Sequence, residues 1–217
     1  GKEDNPVNNC PYADKCGGCA YTGCSYMEQA TAKQKMITDL LPKGIKINPI
    51  IVCENPFHYR NKVHSAYKRL KNGRIVCGPY ERSSHHIVSV DDCLLENETA
   101  GAIIRDCASI AGRLKVNVFS EATGTGELRK VLVKVAEATG EVMVVLVIGN
   151  RYFSKKNVFI RELMKLHPEI TTILISIHRG HNSMILGDVI RRETGPGYIV
   201  DELLGKKFRI SASSFYQ

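Results

Sequence analysis

Three cysteines stand close together near the start of the chain, Cys10, Cys16 and Cys19, and the last two enclose Gly17 and Gly18. The segment around them is too small and polar to fold about a core of its own. Its two glycines let the backbone turn tightly enough to aim the flanking sulfurs at one centre. Closely held thiolates suit an iron–sulfur cluster or a zinc ion, and either wants a further ligand from elsewhere in the chain. Zinc sites more often pair their thiols as two short hooks, so the long gap followed by a short one leans toward iron–sulfur.

Five cysteines remain for that further ligand: Cys24, Cys53, Cys77, Cys93 and Cys107. Cys107 falls on the apolar stripe of a predicted helix, and Cys53 and Cys77 fall in strand patterns, so these three read as small buried hydrophobes. Cys24 is near in sequence and gives a compact local site. Cys93 follows Asp91-Asp92 at a strand end, where a loop can swing its side chain toward another module. Local physics leaves Cys24 and Cys93 level.

No apolar leader opens the chain, and its longest apolar run, 142–148, has the length of a buried strand and not of a membrane span. Cysteines bunched at the front of such a chain point to metal ligation in a reducing cytoplasm, with no membrane partner, and not to disulfide staples. The 217 residues carry a net charge of +8 with 43% hydrophobic residues, a globular composition whose cationic surplus fits a polyanion, nucleic acid first.

The spacing of Met27, Ala30, Ile37 and Leu41 predicts a helix over 26–41, and the stripe Ala100, Ile103, Ile104, Cys107, Ile110 and Ala111 a second over 96–114. A third, short helix is expected over 158–166, ended by His167-Pro168. Hairpins are predicted around Asn72-Gly73, joining 63–70 to 74–78, and around Thr139-Gly140, joining 130–136 to 141–148. Further strands are expected at 47–53, 86–90, 171–178, 184–186, 198–201 and 206–210. Hairpins dominate, so the fold class is expected to be α+β: a small cysteine module, iron–sulfur or zinc, packed on a mainly antiparallel sheet with a few helices. Residues 1–45 form the linker, cysteine module and first helix, 46–210 the central domain, and 211–217 the lead-in to something further.

In this frame the motifs become familiar. The pattern of Cys10, Cys16, Gly17, Gly18 and Cys19 resembles the cluster-binding segment of the bacterial 23S rRNA (uracil-C5)-methyltransferases. Tyr59-Arg60-Asn61-Lys62, Gly78-Pro79-Tyr80, the run Ser84-His85-His86-Ile87-Val88 with Cys93, Thr125-Gly126-Glu127-Leu128-Arg129, Thr139-Gly140-Glu141 and Ile210-Ser211-Ala212-Ser213-Ser214-Phe215-Tyr216-Gln217 are similar to further family segments, in the same order. The resemblance implies that Cys93 is the fourth ligand, that the metal is a [4Fe–4S] cluster with a structural role, and that Gln217 touches S-adenosyl-L-methionine (SAM). In that family a cysteine beyond this point adds to C6 of uracil and makes C5 nucleophilic toward the methyl donor. The chain is therefore expected to be a fragment of a SAM-dependent methyltransferase, without its catalytic residues and inactive alone.

Its own task is then to hold 23S rRNA. Arg60, Lys62, Lys68, Arg69, Lys71 and Arg74 crowd one hairpin, with Tyr59 and Tyr67 interleaved, as phosphate neutralisation and base stacking require. In an alternating strand Lys62, His64, Ala66 and Lys68 share a face. Arg129, Lys130, Arg191 and Arg192 are further RNA-binding candidates, whereas His85-His86 reads as a turn. Two rivals stand beside this reading: a non-enzymatic zinc-stapled nucleic-acid-binding module, which charge and thiols alone equally support, and an iron–sulfur redox protein, which lacks any flavin fingerprint.

Overall fold

The computed structural model describes residues 10–21, 23–84, 86–180 and 184–216. Its elements, in chain order, are α1 (Tyr26–Leu40), β1 (Lys62–Arg69), β2 (Ile75–Gly78), α2 (Glu98–Arg113), β3 (Leu128–Val135), β4 (Val142–Ile148), α3 (Lys156–Leu166), β5 (Ile170–Ile177), β6 (Val189–Thr194), β7 (Ile199–Leu203) and β8 (Lys206–Ile210). Six strands form one sheet in the order β2-β1-β3-β4-β5-β6, and β7 pairs with β8 as a separate hairpin. Only β4 and β5 run parallel, because α3 crosses between them; every other neighbouring pair is antiparallel. The result is a mixed α/β fold with a mostly antiparallel sheet and three helices.

Sequence chemistry accounts for the centre. β3 and β4 are buried along their whole length, and β4 reads Val-Met-Val-Val-Leu-Val-Ile, the continuous apolar run of a strand covered on both faces. Val131, Val133, Val144 and Leu146 point to one face, where Ile103, Ile110, Phe159 and Leu163 of α2 and α3 cover them. Leu132, Met143, Val145 and Leu174 point to the other, beneath Ile199, Ile210 and Ala212 of the small hairpin and its exit. Asn97 caps α2, its Oδ1 accepting from the Ala100 N–H at 3.2 Å. Gly73 adopts φ 85°, the left-handed conformation that the tight β1–β2 turn demands.

One lysine is buried in this centre. Lys134 is 1% exposed, and its Nζ donates to the carbonyls of Ser211, Ala212 and Ser214 at 3.0, 2.9 and 2.7 Å. Burial first, and the nearby Lys62 charge second, push it down to about 8. Tyr216 adds a second tie, donating from its hydroxyl to Asp201 Oδ2 at 2.6 Å.

Several expectations need correcting. Residues 47–53 form no strand: they run beside α1, with the Cys53 N–H donating to the Tyr26 hydroxyl at 2.7 Å and the Ile50 N–H to Gln34 Oε1. Without a sheet partner the segment turns apolar side chains outward, Ile51 at 96% exposure, and Cys53 is exposed instead of buried. Residues 86–90 contribute only an isolated bridge between Ile87 and Tyr80, and 184–186 form no strand. The strand there is β6, whose Val-Ile-Arg-Arg-Glu-Thr sequence sits at the sheet edge and lacks the alternation that marks a half-buried strand. Cys77 and Cys107 do lie in the core. Among the described residues no helix is long and apolar enough to cross a membrane.

Candidate functional site

The Cys10–Cys19 segment owes its shape to hydrogen bonds with three remote parts of the chain. The Cys16 N–H donates to the Tyr12 carbonyl at 2.8 Å to close a turn, and Tyr12 in turn accepts at its hydroxyl from the Asp91 N–H at 3.0 Å. Cys16 forms an isolated bridge with Glu81, and the Gly17 N–H reaches the Tyr80 carbonyl. A Cβ on Gly17 would stand 3.0 Å from that same carbonyl oxygen, so the close approach favours glycine. Gly18 then donates its N–H to Cys16 Sγ at 3.3 Å.

Cys10, Cys16 and Cys19 line one cavity of about 640 Å³, and Cys93, far away in sequence, lines it too. Cys24 does not line it, although its sequence position had made it an equal candidate. Burial raises the Cys19 thiol; the Cys16 and Cys10 thiols add to the rise, while Arg60 and Arg82 oppose it. Burial likewise raises Cys93, with Glu96 adding to it and backbone N–H groups of Leu95 and Glu96 favouring the thiolate. The four cysteines thus line one space. Among the described residues no three His, Cys, Asp or Glu side chains converge tightly enough to hold a single metal ion. The donor set is made of thiols, the residue type that both an iron–sulfur cluster and a zinc ion take.

The cavity continues over the β1 face, where Tyr59, Arg60, Lys62, His64 and Tyr80 also line it. Register places Lys62 beside Lys134, His64 beside Leu132 and Ala66 beside Lys130, so β1 presents its basic side chains to this face. Tyr59 is 56% exposed. His64 keeps solvent contact yet is crowded by the cavity walls; that crowding, with Lys130 and Lys62 adding like charge, lowers its imidazole to about 4. It is neutral near pH 7.

Other predicted contacts fall elsewhere. Arg129 is 5% exposed, with Nε and Nη2 on the Glu121 carboxylate at 2.9 and 3.0 Å and Nη1 on the carbonyls of His178 and Gly180. Its guanidinium also stacks over Phe119, 4.7 Å from the ring centroid, so it ties loops together instead of facing a ligand. Lys130 is 6% exposed, its ammonium 5.9 Å from the Tyr80 ring centroid. Tyr67, expected as a stacking platform, is buried and donates its hydroxyl to the Ile104 carbonyl at 2.7 Å. Arg69 binds the Gly73 and Val116 carbonyls. Lys68 remains exposed, as do Arg191 and Arg192 on β6. Gln217 and His85 lie outside the described residues.

Two site residues escaped the sequence reading. Arg82 reaches back to the cysteine loop and Tyr12 anchors it, and neither stands in a pattern that announces such a role.

Searches with family models find no match. The chain is 32% identical over 213 residues to an uncharacterized RNA methyltransferase of Halalkalibacterium halodurans, covering 96% of this chain and 46% of that protein. A counterpart from Staphylococcus aureus is 27% identical over 220 residues, covering 99% and 49%. These relatives are RNA methyltransferases. The chain spans about half their length. Its fold matches that of the Pyrococcus abyssi tRNA (uracil-54, C5)-methyltransferase crystallised with S-adenosyl-L-homocysteine, with a TM-score of 0.74 and 24% identity, over 96% of this chain and 48% of that one.

Proposed function

We propose that this chain is the cluster-binding and RNA-holding part of a cytoplasmic, SAM-dependent methyltransferase that acts on C5 of uridine in 23S rRNA. The observation that carries the reading is the alignment of nearly the whole chain with RNA methyltransferases about twice its length. In this reading residues 1–45 are the cysteine module and its helix, 46–210 the central domain, and 211–217 the lead-in to a SAM-binding half, with Gln217 as a SAM contact.

Cys10, Cys16, Cys19 and Cys93 supply the four thiolates that a [4Fe–4S] cluster takes, and they share one cavity. When bound, the cluster supplies a covalent staple between segments that have little core of their own. Electron transfer is not its task, since methyl transfer moves no electrons between enzyme and substrate. On the adjoining face Lys62 and Lys68 neutralise phosphates and Tyr59 offers an exposed ring to an unpaired base. Arg60 and Lys130 line or border the same space, whereas Arg129 serves by holding the loops around it.

The test is direct. The longer natural protein, incubated with labelled SAM and either 23S rRNA or tRNA, should place label on C5 of a uridine in the ribosomal RNA, located by nuclease digestion and mass spectrometry. Label confined to tRNA overturns the substrate assignment, and absence of 5-methyluridine from both overturns the reaction. Metal analysis of the anaerobically purified chain separates about four irons from the single zinc of the non-enzymatic alternative.

A further inference from the structure

The thiols come from two segments more than seventy residues apart, and one arginine is bonded to both. Arg60 precedes β1. Its backbone is clasped by the segment carrying Cys93: the Arg60 N–H donates to the Leu95 carbonyl and the Arg60 carbonyl accepts from the Asn97 N–H, each at 2.9 Å. Its side chain goes the other way, with Nη2 donating to the Gly18 carbonyl at 2.9 Å, in the middle of the Cys16–Cys19 turn. A second guanidinium grips the same turn from another side. Arg82 Nη2 donates to the Cys19 carbonyl at 2.8 Å and Nε to the Cys16 carbonyl at 3.4 Å, while its own N–H reaches the Lys15 carbonyl.

We infer that Arg60 is the positioning residue that couples the two halves of the thiol set, with Arg82 as a brace on the loop half. The inference rests on the reading that these thiols hold a cluster. Its physical basis is the direction of the bonds. Each guanidinium takes a carbonyl of the turn, which turns the oxygen dipoles toward positive charge and leaves backbone N–H groups for sulfur, as Gly18 donates to Cys16 Sγ. A cage of thiolates concentrates negative charge, and both guanidiniums end on carbonyls of the turn that carries Cys16 and Cys19. Arg60 also ties the loop to the Cys93 segment, because its main chain and side chain end on different halves; the Tyr12 hydroxyl, accepting from the Asp91 N–H, is a second tie that the Arg60 and Arg82 variants keep. Hydrogen bonds behind the ligands orient them and tune the metal they hold.

Two measurements on the whole chain test this. In the first, the unmodified chain, Arg60→Gln, Arg60→Lys and Arg82→Gln are reconstituted anaerobically with iron and sulfide and compared for affinity for the cluster, read from the loss of visible absorbance against a chelator. Arg60→Gln should weaken retention by roughly 10–100-fold, as loss of a group orienting metal ligands does, and Arg60→Lys should recover only part because it lacks the planar fork. In the second, the metal-free proteins are treated with a short bifunctional thiol reagent and the Cys19–Cys93 bridge is quantified by peptide mapping. Arg60→Gln should lose most of that bridge while its β-sheet circular dichroism stays native; Arg82→Gln should keep it. A variant whose sheet signal is lost is replaced by Arg60→Lys in both comparisons. An unmodified chain that takes up no iron overturns the cluster reading but leaves the cross-link to decide the coupling. A Cys19–Cys93 bridge as abundant in Arg60→Gln as in the unmodified chain overturns the inference, whatever the iron content.

Discussion

His64 sits between two ammonium groups, Lys62 and Lys130, in a crowded part of the cavity, and its imidazole falls to about 4 from a usual 6.5. On acidification the unfolded chain takes up this proton first, below about pH 6.5, while the folded chain resists until near pH 4. Stability linked to His64 is thus intact above pH 6.5 and lost as pH falls toward 4; a His64→Gln variant should show a shallower decline in melting temperature across that window. At the cysteines, replacing Cys93 with Ser should remove most of the iron from the reconstituted chain, whereas Cys24→Ser should leave it, because only Cys93 shares the cavity with Cys10, Cys16 and Cys19. Equal iron in the two variants would refute the ligand set. Lys134 is a third point of strain and support. Lys134→Met leaves the carbonyls of Ser211, Ala212 and Ser214 without a donor and should cost about 2–4 kcal/mol in urea denaturation.

The helices divide by how much they bury. α2 puts Ala100, Ile103, Ile104, Cys107, Ile110 and Ala111 against the sheet, so Ile103→Ala should destabilise the chain by about 2–5 kcal/mol. Removing its cap by Asn97→Ala should cost about 1 kcal/mol, and that change lies next to the Cys93 segment, so the loop should loosen too. α1 differs. It has a full capping box at Ser25 and Glu28 but buries only Ala30, and Leu40 is 74% exposed. Leu40→Ser should therefore change stability by less than about 0.5 kcal/mol. Both measurements are denaturant titrations, and a large effect at Leu40 would mean that α1 carries a tertiary contact. The sheet shows the same contrast: β4 is legible from composition because two covered faces leave no room for polar alternation, while the edge strand β6 hides behind two arginines.

Across the whole molecule the excess of +8 would make the proposed binding to RNA an exchange of counterions for lysine and arginine contacts. Lys62→Gln and Lys68→Gln should weaken binding of 23S rRNA fragments without sequence preference, each lowering the slope of log affinity against log salt by about one, whereas Arg129→Gln should act mainly through stability. Filter binding across a salt series checks both. An unchanged slope in the lysine variants would remove the β1 face from the RNA path.

What the sequence by itself determined is what periodicity and local chemistry can carry. It marks the two principal hairpins at Asn72-Gly73 and Thr139-Gly140, the three helices, and the apolar stripe of α2. These depend on neighbours a few residues apart. Tertiary structure alone decided the rest. Local physics left Cys93 and Cys24 equal, and in the fold Cys93 lines the cavity of Cys10, Cys16 and Cys19 whereas Cys24 does not. Arg129 and Tyr67 carry the side chains of an RNA surface, yet packing turned both inward to buried carbonyls. Residues 47–53 have the composition of a strand but lie along α1 and pair with no strand, and a strand without a partner does not form. Which polar groups meet across tens of residues depends on the closed network of hydrogen bonds, and that network exists only once the sheet has formed.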